Sequence, residues 1–241
     1  MKKQLIKISI IAVATTALIL SGCKKDDATL PVVTLIGSAT INISLNSAYT
    51  DLGATATDNK DGDVTSKITV SNPVNKDLAG TYTVKYSVTD AAGNIGTADR
   101  TVNVVNDAAS MAGTYSSVMV YDNGTLVQSR PTDCSSTAAN SITDVIAIST
   151  TVNNELLITR FAGYVFATGS TKIKMKVSGT ATGSSITVSS QTTTNIGCPM
   201  STNTYTFVGS GTVTTTGFNL TWTETNTGGG NFPNQTATYV K

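Results

Sequence analysis

The stretch Gly80-Thr81-Tyr82-Thr83-Val84-Lys85-Tyr86-Ser87-Val88 decides the fold class. Tyr82, Val84, Tyr86 and Val88 alternate with polar residues, the period of two by which a strand turns one face inward and the other to water. Asp90-Ala91-Ala92-Gly93-Asn94 then turns the chain, and Ile95 to Val105 returns as a second strand. Arg100 shares parity with Val102 and Val104, so a bulge before Thr101 is expected to re-aim it.

Working upstream, Val32 to Leu35 and Thr40 to Leu45 read as strands broken by Gly37-Ser38. Tyr49-Thr50-Asp51-Leu52-Gly53-Ala54 leads into the turn-rich loop Thr57 to Asp63, and Val64 to Val70 reads as a further strand. About seven short strands between residues 31 and 105 predict a β-sandwich. Within the loop, Asp58, Asp61 and Asp63 admit two readings. Oxygen ligands at this spacing suit Ca²⁺, which takes about six to eight of them, although no glutamate closes the loop as in an EF-hand. Asp and Gly also make tight turns through Asx hydrogen bonds with no metal. Asp90 is expected to cap the neighbouring hairpin turn.

Downstream, Asn106 to Ala112 reads as a linker and residues 113–241 as a second all-β domain. Its expected strands are Tyr115–Tyr121, Leu126–Arg130, Asp144–Thr150, Glu155–Phe161, Lys172–Gly179, Ser185–Gln191, Thr204–Thr214, Phe218–Asn226 and Ala237–Val240. Polar turns such as Val152-Asn153-Asn154 separate them, and Asn226 to Asn234 reads as a flexible loop. Sequential hairpins predict an antiparallel meander that closes into a small β-barrel, which removes exposed edges; a second β-sandwich is the alternative. Trp222, Tyr164 and Tyr205 are candidate ligand-binding aromatics, able to stack on sugar rings or line a cavity, or else to fill a core. Lys172, Lys174 and Lys176 alternate with Ile173, Met175 and Val177, which puts the lysines on one face. That face is solvated or, alternatively, receives an anionic ligand.

Composition excludes several chemistries. The 241-residue chain has no histidine, which removes His-based triads, His general bases and His-containing metal sites. Glu155 and Glu224 are the two glutamates, and no carboxylate pair flags a glycosidase. An enzyme is therefore not expected, nor is a resident cofactor other than the Ca²⁺ considered above. Residues 1–22 hold Lys2, Lys3 and Lys7 and no acid, so the 16 basic and 15 acidic residues become 13 and 15 beyond them. A near-neutral chain implies no nucleic-acid partner.

The chain opens with Met1-Lys2-Lys3-Gln4, followed by a run from Ile8 to Leu20 without charge. This is the pattern of a signal peptide, with an apolar region shorter than the ~20 residues of a membrane span. Leu20-Ser21-Gly22-Cys23 resembles the lipobox of bacterial lipoproteins. The resemblance implies that Cys23 carries the lipid and becomes the mature N-terminus, the membrane thus being one partner; more than one acyl chain makes such an anchor stable. Lys24-Lys25-Asp26-Asp27 resembles the short charged tag that sends lipoproteins of Bacteroidota-type bacteria to the outer face of the outer membrane, with a plain solvated tether, residues 23–30, as the alternative. In an oxidising compartment Cys134 and Cys198 are expected to form a disulfide. Such a loop contributes about 4 kcal/mol in the chain-entropy model. Free buried thiols are the alternative.

Four segments together resemble a known family: Tyr49 to Ala54, Asp58 to Asp63, Gly80 to Val84, and Val88-Thr89-Asp90-Ala91-Ala92-Gly93-Asn94. In order and spacing they are similar to the immunoglobulin-like domain of bacterial surface proteins and a pesticidal crystal protein. The resemblance covers residues 31–105. It implies an Ig-like fold with a spacer or adhesive role, and names no substrate. The C-terminal domain resembles, by architecture more than by motif, lipocalin-like barrels of Bacteroidota lipoproteins. The function expected is a surface lipoprotein whose Ig-like spacer presents a β-domain to a glycan or protein. A periplasm-facing carrier of an apolar ligand, or a structural envelope protein, is the alternative.

Overall fold

The computed structural model describes residues 27–122, 125–127, 144–158, 160–161, 164–165, 172–194, 203–229 and 231–241. Cys23, Cys134 and Cys198 lie outside them, so the expected lipid anchor and disulfide do too. The fold is all-β, and among the described residues no helix is long and apolar enough to cross a membrane.

Seven strands make the Ig-like part: β1 (Val32–Leu35), β2 (Thr40–Ser44), β3 (Ala54–Asp58), β4 (Gly62–Asp63), β5 (Thr69–Ser71), β6 (Gly80–Thr89) and β7 (Ile95–Val105). One sheet has the order β1-β3-β4 and the other β2-β7-β6-β5. β2 runs parallel to β7, in register from Thr40↔Thr101 to Ser44↔Val105. The alternation read from the sequence holds in β6, where Val84, Tyr86 and Val88 are buried and Tyr82 is half-buried. Two local expectations fail. Where one strand was expected over Val64–Val70, a 3₁₀ turn at Thr65–Lys67 intervenes, with Asp63 Oδ1 accepting from the Thr65 amide at 2.8 Å. That hydrogen bond offers the backbone an alternative to a ladder, and only Thr69–Ser71 pairs. The bulge expected before Thr101 is also missing. Along β7 the inward face continues unbroken, with Gly96, Arg100, Val102 and Val104 buried and Ala98 half-buried. Arg100 is fully buried, and its guanidinium donates to Asp51. An ion-pair partner, rather than a bulge, reconciles the charge with the inward face.

Eleven strands follow: β8 (Gly113–Asp122), β9 (Thr125–Val127), β10 (Asp144–Ile148), β11 (Glu155–Ile158), β12 (Arg160–Phe161), β13 (Tyr164–Val165), β14 (Ile173–Val177), β15 (Ser185–Thr194), β16 (Thr204–Val213), β17 (Gly217–Asn226) and β18 (Asn231–Val240). They pair in the order β10-β11-β14-β15-β16-β17-β18-β8-β9, except that β12 and β13 form a separate hairpin, and β10 pairs again with β8. The second pairing, Asp144↔Tyr115 to Ile146↔Gly113, closes eight strands into an antiparallel barrel, with β9 added to the far half of β8. The barrel of the sequence reading stands, and the second sandwich does not. The expected loop Asn226–Asn234 is shorter than read, since β18 pairs with β17 from Asn231.

Contacts group the chain into two compact units. Of the described residues, one takes those up to Gly37, Leu52–Ser71 and Lys85–Asp99; the other takes Ser38–Asp51, Asn72–Val84 and those from Arg100 onward. The first has a small core of Ala56, Val64 and Val88, with Val33 and Ile68 against it. The second has a continuous core running from Ala108 and Met111 to Phe207 and Trp222. At one end of it Phe218 stacks on Tyr239 with ring centroids 4.4 Å apart, and Tyr115 meets Phe218 edge-on at 5.2 Å. The Tyr115 hydroxyl donates to the Met111 carbonyl at 2.7 Å. Met111 sits in a 3₁₀ turn, Ala109–Met111, that closes this end.

Candidate functional site

Alternation along β17 sends Phe218, Leu220, Trp222 and Glu224 into the barrel. Phe218 belongs to the aromatic end just described. Further along the strand the interior changes character: Glu224 is 2% exposed, Gln235 5% and Thr193 4%. The cross-strand register sets Gln235 opposite Trp222, Glu224 opposite Phe207 and Thr193 opposite Tyr205, so the three lie successively further along the barrel from Phe218. Polar side chains thus enter the barrel interior level with buried Phe207 and Trp222, away from the Phe218–Tyr239 stack. Polar side chains inside a barrel lose hydration, so they persist where hydrogen-bond partners hold them, and they give that part the capacity to recognise a polar group.

Of the aromatics singled out from sequence, Trp222 is buried in the core and Tyr205 is half-buried against it. The structure brings these two to the same region. Tyr164 lies in the separate β12–β13 hairpin, and its side chain falls outside the described residues. Sequence reasoning missed Glu224, Gln235 and Thr193 as a group. The signal for Glu224 was present, since it shares parity with Leu220 and Trp222; Gln235 lies just past a presumed loop. Lys172, Lys174 and Lys176 are exposed, as their alternation with buried Ile173, Met175 and Val177 predicts. An open recess of ≈ 450 Å³ lies at the aromatic end, lined in part by Met111, Val213, Thr215 and Lys241. The Lys241 ammonium is committed there, donating to the Ser110 carbonyl at 2.8 Å and the Ala112 carbonyl at 2.6 Å.

The acidic loop is arranged differently from the expected Asp58, Asp61 and Asp63 set. Asp61 Oδ2 accepts from the Ala91 amide at 2.6 Å and pairs with Lys67, while Asp63 holds the Thr65 turn. Asp58 turns instead toward Asp27 and Asp90, and one carboxylate oxygen from each of these three lies within 4.8 Å of the others. Asp90 caps its hairpin as expected, Oδ1 accepting from the amides of Ala92 at 2.9 Å and Asn94 at 2.8 Å. Hydrogen bonds from the Asp61 and Lys60 amides hold the Asp58 carboxyl below the usual carboxylate range, against burial and the Asp90 charge. Burial pushes Asp90 up, but hydrogen bonds from the Asn94 side chain and amide and from Ala92 and Gly93 outweigh it, and the net direction is down.

Against this geometry the comparisons with known proteins divide by region. The family described as "Bacterial surface protein, Ig-like domain" matches residues 33–104. Over those residues the strands form an Ig-like domain. No curated protein matches the chain in sequence. Among solved structures, a lipoprotein from Bacteroides thetaiotaomicron is 16% identical, with 88% of this chain and 100% of that chain covered and a TM-score of 0.32. A Clostridium perfringens ZmpB structure, of CBM51-2 in complex with GlcNAc together with INT domains, is 18% identical at a TM-score of 0.26. That alignment covers 88% of this chain and 48% of the other.

Proposed function

We propose that this protein is a lipid-anchored protein of the bacterial cell surface, whose Ig-like domain is a spacer and whose barrel binds a polar ligand outside the cell. The role is binding rather than catalysis, and the ligand class is a glycan or the polar face of a protein. One observation carries the binding reading: Glu224, Gln235 and Thr193 are buried in the part of the barrel away from the Phe218, Tyr239 and Tyr115 cluster, level with Phe207 and Trp222. Apolar side chains alone would fill that interior at less desolvation cost, so the polar set has a use beyond packing. The family match over residues 33–104 supports the surface address. Leu20-Ser21-Gly22-Cys23 supports anchoring through Cys23, and Lys24-Lys25-Asp26-Asp27 supports export to the outer face of the outer membrane.

Protease shaving of intact cells, with lysed cells as control and the barrel followed by antibody, tests the address. Digestion on intact cells is expected. Protection until lysis would place the barrel in the periplasm and move the carrier and envelope-structure readings ahead. Binding is tested by glycan-array screening of the full chain beside Glu224→Gln, which keeps the volume and removes the charge. Retention of a glycan by the native chain and its loss in the variant is the expected pair of results.

A further inference from the structure

The three carboxylates at one end of the Ig-like domain are built from parts that the sequence keeps far apart. Asp27 precedes β1, Asp58 closes β3, and Asp90 begins the β6–β7 turn. Each is tied down by local hydrogen bonds. Asp27 Oδ1 accepts from the Thr29 amide at 3.2 Å. Asp58 Oδ1 accepts from the amides of Lys60 at 2.8 Å and Asp61 at 2.9 Å. Asn94 links the other two, its Nδ2 donating to the Asp27 carbonyl at 2.9 Å and to Asp90 Oδ2 at 2.7 Å.

Those bonds account for turn formation but leave one atom unexplained. Asp58 is 9% exposed, and its Oδ2 is buried with no hydrogen-bond partner among the described residues. With Oδ1 engaged by the loop amides, Oδ2 is the oxygen without a donor in the carboxylate that meets Asp27 and Asp90. A buried, unpartnered carboxylate oxygen is costly, and more so beside two other carboxylates. The Lys60 ammonium approaches Asp27, at 3.7 Å from Oδ1. A divalent cation resolves both problems at once, since it supplies the missing partner and offsets the mutual repulsion.

We infer that Asp27, Asp58 and Asp90 bind one calcium ion. The spacing suits Ca²⁺, whose bonds to oxygen of about 2.3–2.6 Å put oxygens on opposite sides of the ion about 4.6–5.2 Å apart. Mg²⁺, with bonds of about 2.0–2.1 Å and a strict octahedron, keeps several waters and is seldom held by an all-protein carboxylate set. The bound ion joins the segment entering β1 to the two loops that follow β3 and β6. It thereby fixes the direction in which the chain enters the domain. This inference is independent of what the barrel binds.

The test is a calcium titration of the full chain in detergent, read by calorimetry and by the melting temperature of the Ig-like part. One ion per chain is expected, at or below the ~0.1–1 mM range usual for extracellular modules, with a rise in melting temperature that EDTA reverses. Asp27→Asn, which lies outside the strands, should weaken binding at least tenfold while the calcium-free melting temperature stays close to native. Asp58→Asn should abolish binding; should it fail to fold, Asp27→Asn alone decides. Asp63→Asn should bind as the native chain does. Absence of saturable binding well above the millimolar range overturns the site, as does native-like binding by Asp27→Asn. Loss of binding in Asp63→Asn instead would return the ion to the loop of Asp58, Asp61 and Asp63 and overturn this assignment equally.

Discussion

Arg100 is the largest fully buried side chain among the described residues, and its guanidinium meets Asp51, whose side chain is 17% exposed. Burying a charge is tolerable here because the partner is held in place, and removing that partner strands the cation. Asp51→Ala should therefore destabilise the protein by about 3 kcal/mol, the lower end of the usual range because Asp51 keeps some solvent. Arg100→Met with Asp51→Leu should recover much of it; urea denaturation of both variants checks the pair. Tyr49 lies beside them, its phenol raised first by burial and then by the Asp51 charge, against Arg100. Asp63 offers a pH test. Hydrogen bonds from the Thr65 hydroxyl and then its amide hold the Asp63 carboxyl below the usual carboxylate range. A carboxyl with a depressed folded pKa gives stability that is complete above its unfolded value and lost as pH falls through the folded one. Asp63→Asn keeps an acceptor for Thr65 without the titration, so the fall in urea midpoint between about pH 5 and pH 2 should be shallower than in the native chain.

At the scale of the element, β16 shows how a barrel strand makes room for its neighbour. Gly209 and Gly211 face Trp222 and Leu220 across the register. A β-carbon at Gly211 would stand 2.0 Å from the Asn219 carbonyl oxygen, and one at Gly209 2.4 Å from that of Thr221. Small residues on one strand thus admit large ones on the next. Gly211→Ala should cost about 1–3 kcal/mol through backbone displacement, visible as a lower melting temperature. The same change at exposed Gly80, where the nearest atom would be 3.8 Å away, should cost less. Neither barrel glycine was readable as a packing residue, because a one-dimensional alternation does not say which strand lies opposite. β6, β14 and β17 were legible, since each carries a clean period of two with apolar residues on the buried face. Thr65–Lys67 was not, because its turn depends on one Asp63 side-chain bond in a stretch that otherwise reads like a strand. The polar part of the barrel interior was half-legible. Glu224 announced itself by parity, while Gln235 needed knowledge that β18 starts at Asn231. The acidic group was legible only in its middle member, Asp58, since Asp27 and Asp90 come to it through the fold. Asn106 gave no sign of its role within a presumed linker. It is buried, donates to the carbonyls of Ser149 at 2.9 Å and Val152 at 3.1 Å, and accepts from the amides of Ala108 at 2.9 Å and Asn154 at 3.0 Å. Asn106→Ala should leave these buried groups unsatisfied and lower stability by about 1–3 kcal/mol, measured by chemical denaturation.

For the molecule as a whole, the barrel is closed by a short ladder. β8 meets β10 over Gly113–Tyr115 and Asp144–Ile146, whereas β16 meets β17 from Tyr205 to Val213. Opening free energy follows the extent of pairing and burial, so amide hydrogen exchange should be faster at 113–115 and 144–146 than along β16 and β17. Equal protection at both would mean that the barrel opens only by global unfolding. The Ig-like strands carry a different kind of consequence. β2 and β7 lie side by side and point the same way, with five residue pairs in register. Force applied between the N-terminal and C-terminal sides of the chain would draw β2 and β7 in opposite directions along their shared axis. All the hydrogen bonds of that pair then resist together, as a bolt resists shear, instead of parting one after another like a zip. The Leu45 amide donates to the Val105 carbonyl at 2.7 Å, and Ile43 shares its parity in the ladder. Single-molecule stretching should show a high rupture force for this segment and a marked drop for Ile43→Pro, which deletes one donor from the middle of the ladder.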